Sequence, residues 1–195
     1  MIKNILKKYI QKIDKRILKK EDNIKLMLGK QLCFSQKQVE AKKLSDIEVQ
    51  KKIFTEQLEL AQKIDKPIVF HNRDSDDDII NILSEFPDVH GIAHCFSSTY
   101  DVAKKLLDMG YYISFSGNLT FKNSHLPDVA KRLPIDRILV ETDSPFLSPA
   151  PHRGKTNEPG RARFVADFLA QLHNLSINEI ADVTTANAKA IFKFP

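Results

Sequence analysis

Three residues of this 195-residue chain stand where metal chemistry would need them: His71, His94 and Asp143. Each follows a short apolar, strand-like run, namely Ile68-Val69-Phe70, Gly91-Ile92-Ala93 and Ile138-Leu139-Val140. Where parallel strands of an α/β barrel end together, their C-terminal residues converge on one mouth, and catalysis sits there. Imidazole nitrogen with carboxylate oxygen suits zinc, manganese or cobalt, and magnesium when more oxygens join. Such a set activates a water as nucleophile and offsets charge growing on a phosphoryl or acyl oxygen. A solitary histidine is more often a packed or surface residue than a ligand, so it is the joint placement that points to a site. A Ser-His-Asp arrangement has no support, because neither Ser97 nor Ser144 stands in the sharp turn that exposes a nucleophilic serine.

A second set fits the handling of an anionic substrate. Arg73 and Arg153 can each grip phosphate oxygens with a two-pronged guanidinium. His152 and Asn157 lie with Arg153 in the proline-rich loop after Asp143. For each of these the competing role is a hydrogen bond that merely orders the loop. His90, His125 and His173 match no motif and read as surface residues.

Alternating elements must position these groups. Ile53, Phe54, Leu58, Ala61 and Ile64 recur at helical spacing, which predicts a helix over 47–65. Strands follow at 68–70, 91–93, 111–115 and 137–142, separated by helices over 76–86, 99–109 and 124–132. Three helical segments close the chain, over 160–173, 176–183 and 185–193, with Ser176 as N-cap and Glu179 three residues on. Strands alternating with helices predict βα units and a parallel sheet, and four such units amount to half a barrel. The length agrees, since a complete eight-stranded barrel takes about 250 residues.

The N-terminal quarter differs. Residues 1–52 carry a net charge of +9 and residues 53–195 one of −4, so the sequence pI of about 9.1 describes the former. Ile2, Ile5, Leu6, Tyr9, Ile10, Ile13, Ile17 and Leu18 mark one face of a lysine-rich helix, read as a solvated surface helix in preference to one that touches lipid or nucleic acid. Ile24 to Leu28 reads as one more strand. No apolar run approaches the roughly 20 residues that span a bilayer. Cys33 and Cys95 lie far apart and suggest a reducing compartment, so a cytoplasmic protein is expected.

Residues 137–159 resemble the ETDSP…PxRG…NEP signature of the TatD family of metal-dependent hydrolases, whose members include nucleases. Pro67 to Asp74 resembles the family's PVVIHSRD motif, His94-Cys95-Phe96-Ser97 its HCFSG motif, and Tyr112 to Phe121 its strand-and-turn signature. The likeness covers about 47–193, leaving 1–46 as a divergent part of a single partial barrel domain. It implies an α/β, TIM-barrel-like metallo-hydrolase fold, incomplete, with its N-terminal βα units missing or remodelled. It also implies His71, His94 and Asp143 as metal ligands, with Asp143 orienting the nucleophilic water and Glu141 supporting the shell around the site. Arg73, His152, Arg153 and Asn157 are implied on the substrate side.

Complete family members use six ligands for two metals. No His precedes His71, so the opening His-x-His pair is missing, and in Leu28-Gly29-Lys30-Gln31-Leu32-Cys33-Phe34 Lys30 replaces the bridging Glu. A lysine there opposes a bound cation. The flanks remain family-like and only about 30–45 is foreign, which suggests a frame-shifted or degraded gene that also begins late. The expectation is a hydrolase of phosphodiester bonds in DNA holding one Mg, Mn or Zn ion weakly. The alternative is an impaired remnant or pseudogene product without hydrolase activity. An open barrel edge would favour self-association unless residues 1–28 cover it.

Overall fold

In a computed structural model, residues 33–34 and 47–193 are described. The expected helix near the N-terminus, the strand at 24–28 and Lys30 lie outside these residues. The described residues fall in one compact unit, Cys33–Pro195.

Strand β1 (Cys33–Phe34) is followed by helix α1 (Ile47–Lys63), β2 (Ile68–Asn72), α2 (Asp76–Ser84), β3 (Gly91–His94), α3 (Tyr100–Asp108) and β4 (Tyr112–Phe115). Then come α4 (Leu126–Arg132), β5 (Ile138–Val140), α5 (Ala162–His173) and α6 (Ile177–Phe192). The five strands pair in sequence order, all parallel. A sheet in which each βα unit steps one strand in the same direction is a section of barrel wall. The fold is therefore α/β with a parallel sheet, an incomplete barrel. The sequence predicted β2 to β5 but not β1, whose Cys33 and Phe34 pair with His71 and Asn72. A two-residue strand offers no period to detect.

Side chains alternate between the sheet's faces. On one face Phe70, Ile113, Phe115 and Ile138 are buried against Phe54, Leu58, Ile79, Leu83, Leu106 and Leu169 of the helices. Edge-on ring packing joins Phe70 to Tyr111 at 5.7 Å and Phe96 to Phe115 at 6.2 Å. On the other face Ile92 and Leu139 form a smaller cluster with Ile191, flanked by Tyr112, Ala188 and Phe192. Val69 also lies there and is 46% exposed. By the same alternation His71, His94 and Glu141 share this second face, one layer further along the strands.

The tail departs from expectation. Residues 176–183 and 185–193 are not two helices: α6 runs unbroken from Ile177 to Phe192. Thr184, which looks like a break, lies inside this helix and its hydroxyl donates to the Ile180 carbonyl at 2.8 Å, so its polar group is satisfied without leaving the helix. Ser176 caps the helix as expected, in a reciprocal capping box with Glu179. Buried Asn187 then donates to the carbonyls of Ile135 at 2.9 Å and Ile138 at 2.8 Å, tying α6 to the start of β5. Among the described residues no helix is long and apolar enough to cross a membrane.

Candidate metal centre

The parallel register sets His71 beside His94 across β2 and β3, with ring centroids 6.0 Å apart. A carbonyl can only accept, so His71 Nδ1 donates to the His94 carbonyl oxygen at 3.1 Å. Burial pushes the His71 pKa below the usual histidine value. The ring is then neutral at pH 7, and its Nε2 carries the lone pair.

His94 stands between two carboxylates. Its Nδ1 is 2.5 Å from Glu141 Oε2, and its Nε2 is 3.4 Å from Asp143 Oδ1. Burial alone would lower its pKa, but the hydrogen bonds and charges of Asp143 and Glu141 outweigh it and hold the value up at about 9. A cation on Nε2 would take the place of that proton. The ligand atoms of His94, Glu141 and Asp143 lie within 4.8 Å of one another, and all three side chains are half-buried. Nitrogen and carboxylate donors gathered this closely fit a divalent ion. His71, His94 and Asp143 thus meet at one sheet end, although the tight trio contains Glu141 where the sequence placed His71.

The backbone around these groups is unusual. Asp143 has φ 56°, a left-handed conformation that Asp tolerates better than most residues. Leu147 has φ 53°, which for an ordinary side chain costs on the order of 1–3 kcal/mol and so needs support. Asn157 supplies much of that support. Its Nδ2 donates at 2.7 Å to both the Thr142 and Phe146 carbonyls, while its backbone N–H reaches Pro145 at 2.9 Å. Gly117 lets this loop close on the turn after β4, since a Cβ there would stand 1.8 Å from the Leu147 carbonyl oxygen. Below, Cys95 Sγ lies 3.2 Å from Ser116 Oγ, and Asn118 Nδ2 donates to the Phe96 carbonyl at 3.4 Å, joining the ends of β3 and β4.

The substrate-side candidates separate. Asn157 is 4% exposed with both amide hydrogens committed to the loop's own backbone, which is the loop-ordering role weighed against substrate contact. Arg73 and Arg153 are exposed, and the Arg153 guanidinium rests 3.6 Å above the Phe121 ring. The half-buried His152 ring packs edge-on against Phe164 at 4.8 Å. His125 is exposed as expected, but His90 and His173 are half-buried, and His173 bonds to the Ala130 backbone. An apolar groove of about 490 Å³ is lined by residues such as Thr120, Phe164 and Phe168, and none of the candidate site residues lines it. One participant was not singled out in the sequence: buried Ser114, whose Oγ donates to Glu141 Oε2 at 2.7 Å. Its signal was a hydroxyl in the apolar run Tyr112-Ile113-Ser114-Phe115, two residues from Tyr112 and hence on the same face.

A family model described as TatD related DNase matches residues 34–193. The protein named uncharacterized metal-dependent hydrolase YabD, from Bacillus subtilis, is 45% identical over 149 residues, which are 75% of this chain and 58% of that protein. Its namesake YcfH, from Escherichia coli K12, is 44% identical over 146 residues, 73% of this chain and 55% of that protein. This chain therefore spans little more than half the length of the curated relatives it matches. Among solved structures, the TatD homolog YjjV from Escherichia coli superposes with a TM-score of 0.75 at 28% identity, covering 86% of this chain and 64% of that one. A TatD family hydrolase from Entamoeba histolytica shares the fold, with a TM-score of 0.74 at 21% identity over 95% of this chain and 70% of that one. With a family model matched across most of its length, the chain belongs to the TatD family of metal-dependent hydrolases.

Proposed function

We propose that this chain works as a divalent-metal-dependent hydrolase of phosphodiester bonds in DNA. The observation that carries the reading is His94 Nε2 facing Asp143 Oδ1 at 3.4 Å on the C-terminal end of the sheet, with His71 beside them. His71, His94 and Asp143 would hold a magnesium, manganese or zinc ion, with one ion as the expected load. Such an ion supplies Lewis-acid stabilisation of a phosphoryl oxygen and a lowered pKa for water. Asp143 orients the attacking water and accepts its proton, from a backbone fixed by the clamped loop. Exposed Arg73 and Arg153 receive the phosphates, and His152 lines the same loop. The family model's description names DNases, which favours nucleic acid as substrate, whereas the two relatives' names give only a metal-dependent hydrolase. Buried Cys95, its thiol beside the Ser116 hydroxyl, suits a reducing, cytoplasmic setting.

The test is metal analysis of the purified full chain, coupled to cleavage of single-stranded DNA with and without added Mg²⁺ or Mn²⁺. Cleavage should require the ion and fall by more than about 100-fold in Asp143→Ala, since loss of a supporting partner alone costs 10–100-fold. Less than one ion per chain, with cleavage unaltered by His71→Ala or Asp143→Ala, would overturn the proposal.

A further inference from the structure

The carboxylates around His94 have different jobs. The two nitrogens of an imidazole face opposite edges of the ring, and Glu141 meets Nδ1 while Asp143 meets Nε2. A cation held by Nε2 and Asp143 would meet the edge of the ring that Glu141 does not face. Closeness alone, within 4.8 Å, therefore does not make Glu141 a ligand.

Glu141 is instead built into the sheet. Its Oε2 takes the Ser114 hydroxyl at 2.7 Å together with His94 Nδ1, while its Oε1 is buried without a hydrogen-bond partner among the described residues. Both donors therefore converge on one oxygen. Ser114 is 3% exposed on β4, and its carbonyl accepts from Phe96 N–H at 2.9 Å, just beyond His94. The ends of β3, β4 and β5 thus meet at this one carboxylate. We infer that Ser114 and Glu141 form a positioning pair that holds His94 by Nδ1–H, fixing its ring so that Nε2 is presented to the cation beside Asp143. A carboxylate behind a ligating histidine orients the ring and raises its basicity, and loss of such a partner typically costs 10–100-fold in metal affinity.

The inference rests on the metal-site reading proposed above, and its test separates the two. Mn²⁺ or Zn²⁺ titration of the full chain would be paired with NMR of ¹⁵N-histidine-labelled protein, the His94 signals being assigned with His94→Gln. The unaltered chain should show a slowly exchanging, downfield His94 Nδ1–H resonance with and without the ion. Glu141→Ala should lose that resonance and bind the ion about 10–100-fold more weakly. Glu141→Gln keeps an oxygen for both donors and should restore the resonance and most of the affinity. Ser114→Ala, a minimal change that guards against misfolding of the Glu141 variants, should speed exchange of the resonance and weaken binding several-fold. Equal and complete loss of the ion in Glu141→Ala and Glu141→Gln would make Glu141 a ligand and overturn the inference. An unchanged resonance in Glu141→Ala would also overturn it. Should the unaltered chain bind no divalent ion, the hydrolase reading fails, and the resonances alone then decide for or against the pair.

Discussion

The two faces of one sheet divide this molecule's work. Toward the helices, Ile113, Phe115 and Ile138 are fully buried and interlock with rings and aliphatic chains from α1 to α5. On the opposite face a thin apolar layer of Ile92, Tyr112 and Leu139 gives way to His71, His94, Ser114 and Glu141. The strands are the same and the side chains differ by one position. The first face gains stability from burial, roughly 25 cal/mol per Å² of apolar surface. The second gives up such burial to gather titratable groups half-shielded from water, where charge interactions are strong.

Substitutions on the two faces should therefore separate stability from chemistry. The largest stability loss is expected for Phe115→Ala, about 3–5 kcal/mol in urea unfolding, because it removes a fully buried ring and leaves a cavity. A loss below about 1 kcal/mol would break the contrast between the faces. Leu139→Ala, in the thinner layer, should cost near the lower end of the 2–5 kcal/mol range for such truncations. Asn157→Ala should cost about 1–3 kcal/mol by leaving the carbonyls of Thr142 and Phe146 without their donor. Unchanged stability with a raised KM would instead return Asn157 to substrate contact.

The smallest effect concerns pH and sits on the helix side. Burial holds the His173 pKa below its unfolded value of 6.5, despite a hydrogen bond with the Ala130 backbone. The folded state thus prefers the neutral ring. Its contribution to stability is present in full above pH 6.5 and is lost as pH falls through the folded pKa. His173→Gln should therefore lose less stability than the unaltered chain between pH 7 and pH 5. An identical pH dependence of unfolding in the two proteins would remove His173 from the account.

How much of this was legible in the sequence follows from the same two faces. Strands β2 to β5 were readable because Ile68-Val69-Phe70 and Ile138-Leu139-Val140 are continuous apolar runs bounded by breakers. The sheet end was readable because His71, His94 and Asp143 each close such a run. The hydrogen bonds of Asn157 were not legible, because its partners Thr142 and Phe146 lie 15 and 11 residues away and the loop closes where Gly117 admits the Leu147 carbonyl. Ser114 passed unnoticed because a hydroxyl within a strand is ordinary until a carboxylate from the next strand reaches it. The break expected near Thr184 is overridden by packing, since the helix is buried on both sides of it through Ile180, Asn187 and Ile191. Strand pairing and side-chain hydrogen bonds that cross elements are what local pattern omits.

The most direct measurement is anomalous diffraction from crystals of the full chain grown with Mn²⁺. The expected result is a peak at the C-terminal end of the sheet, within direct coordination distance of both His94 Nε2 and an Asp143 carboxylate oxygen. No peak there, or a manganese ion bound only at another surface, would contradict the assignment of this sheet end as the metal centre.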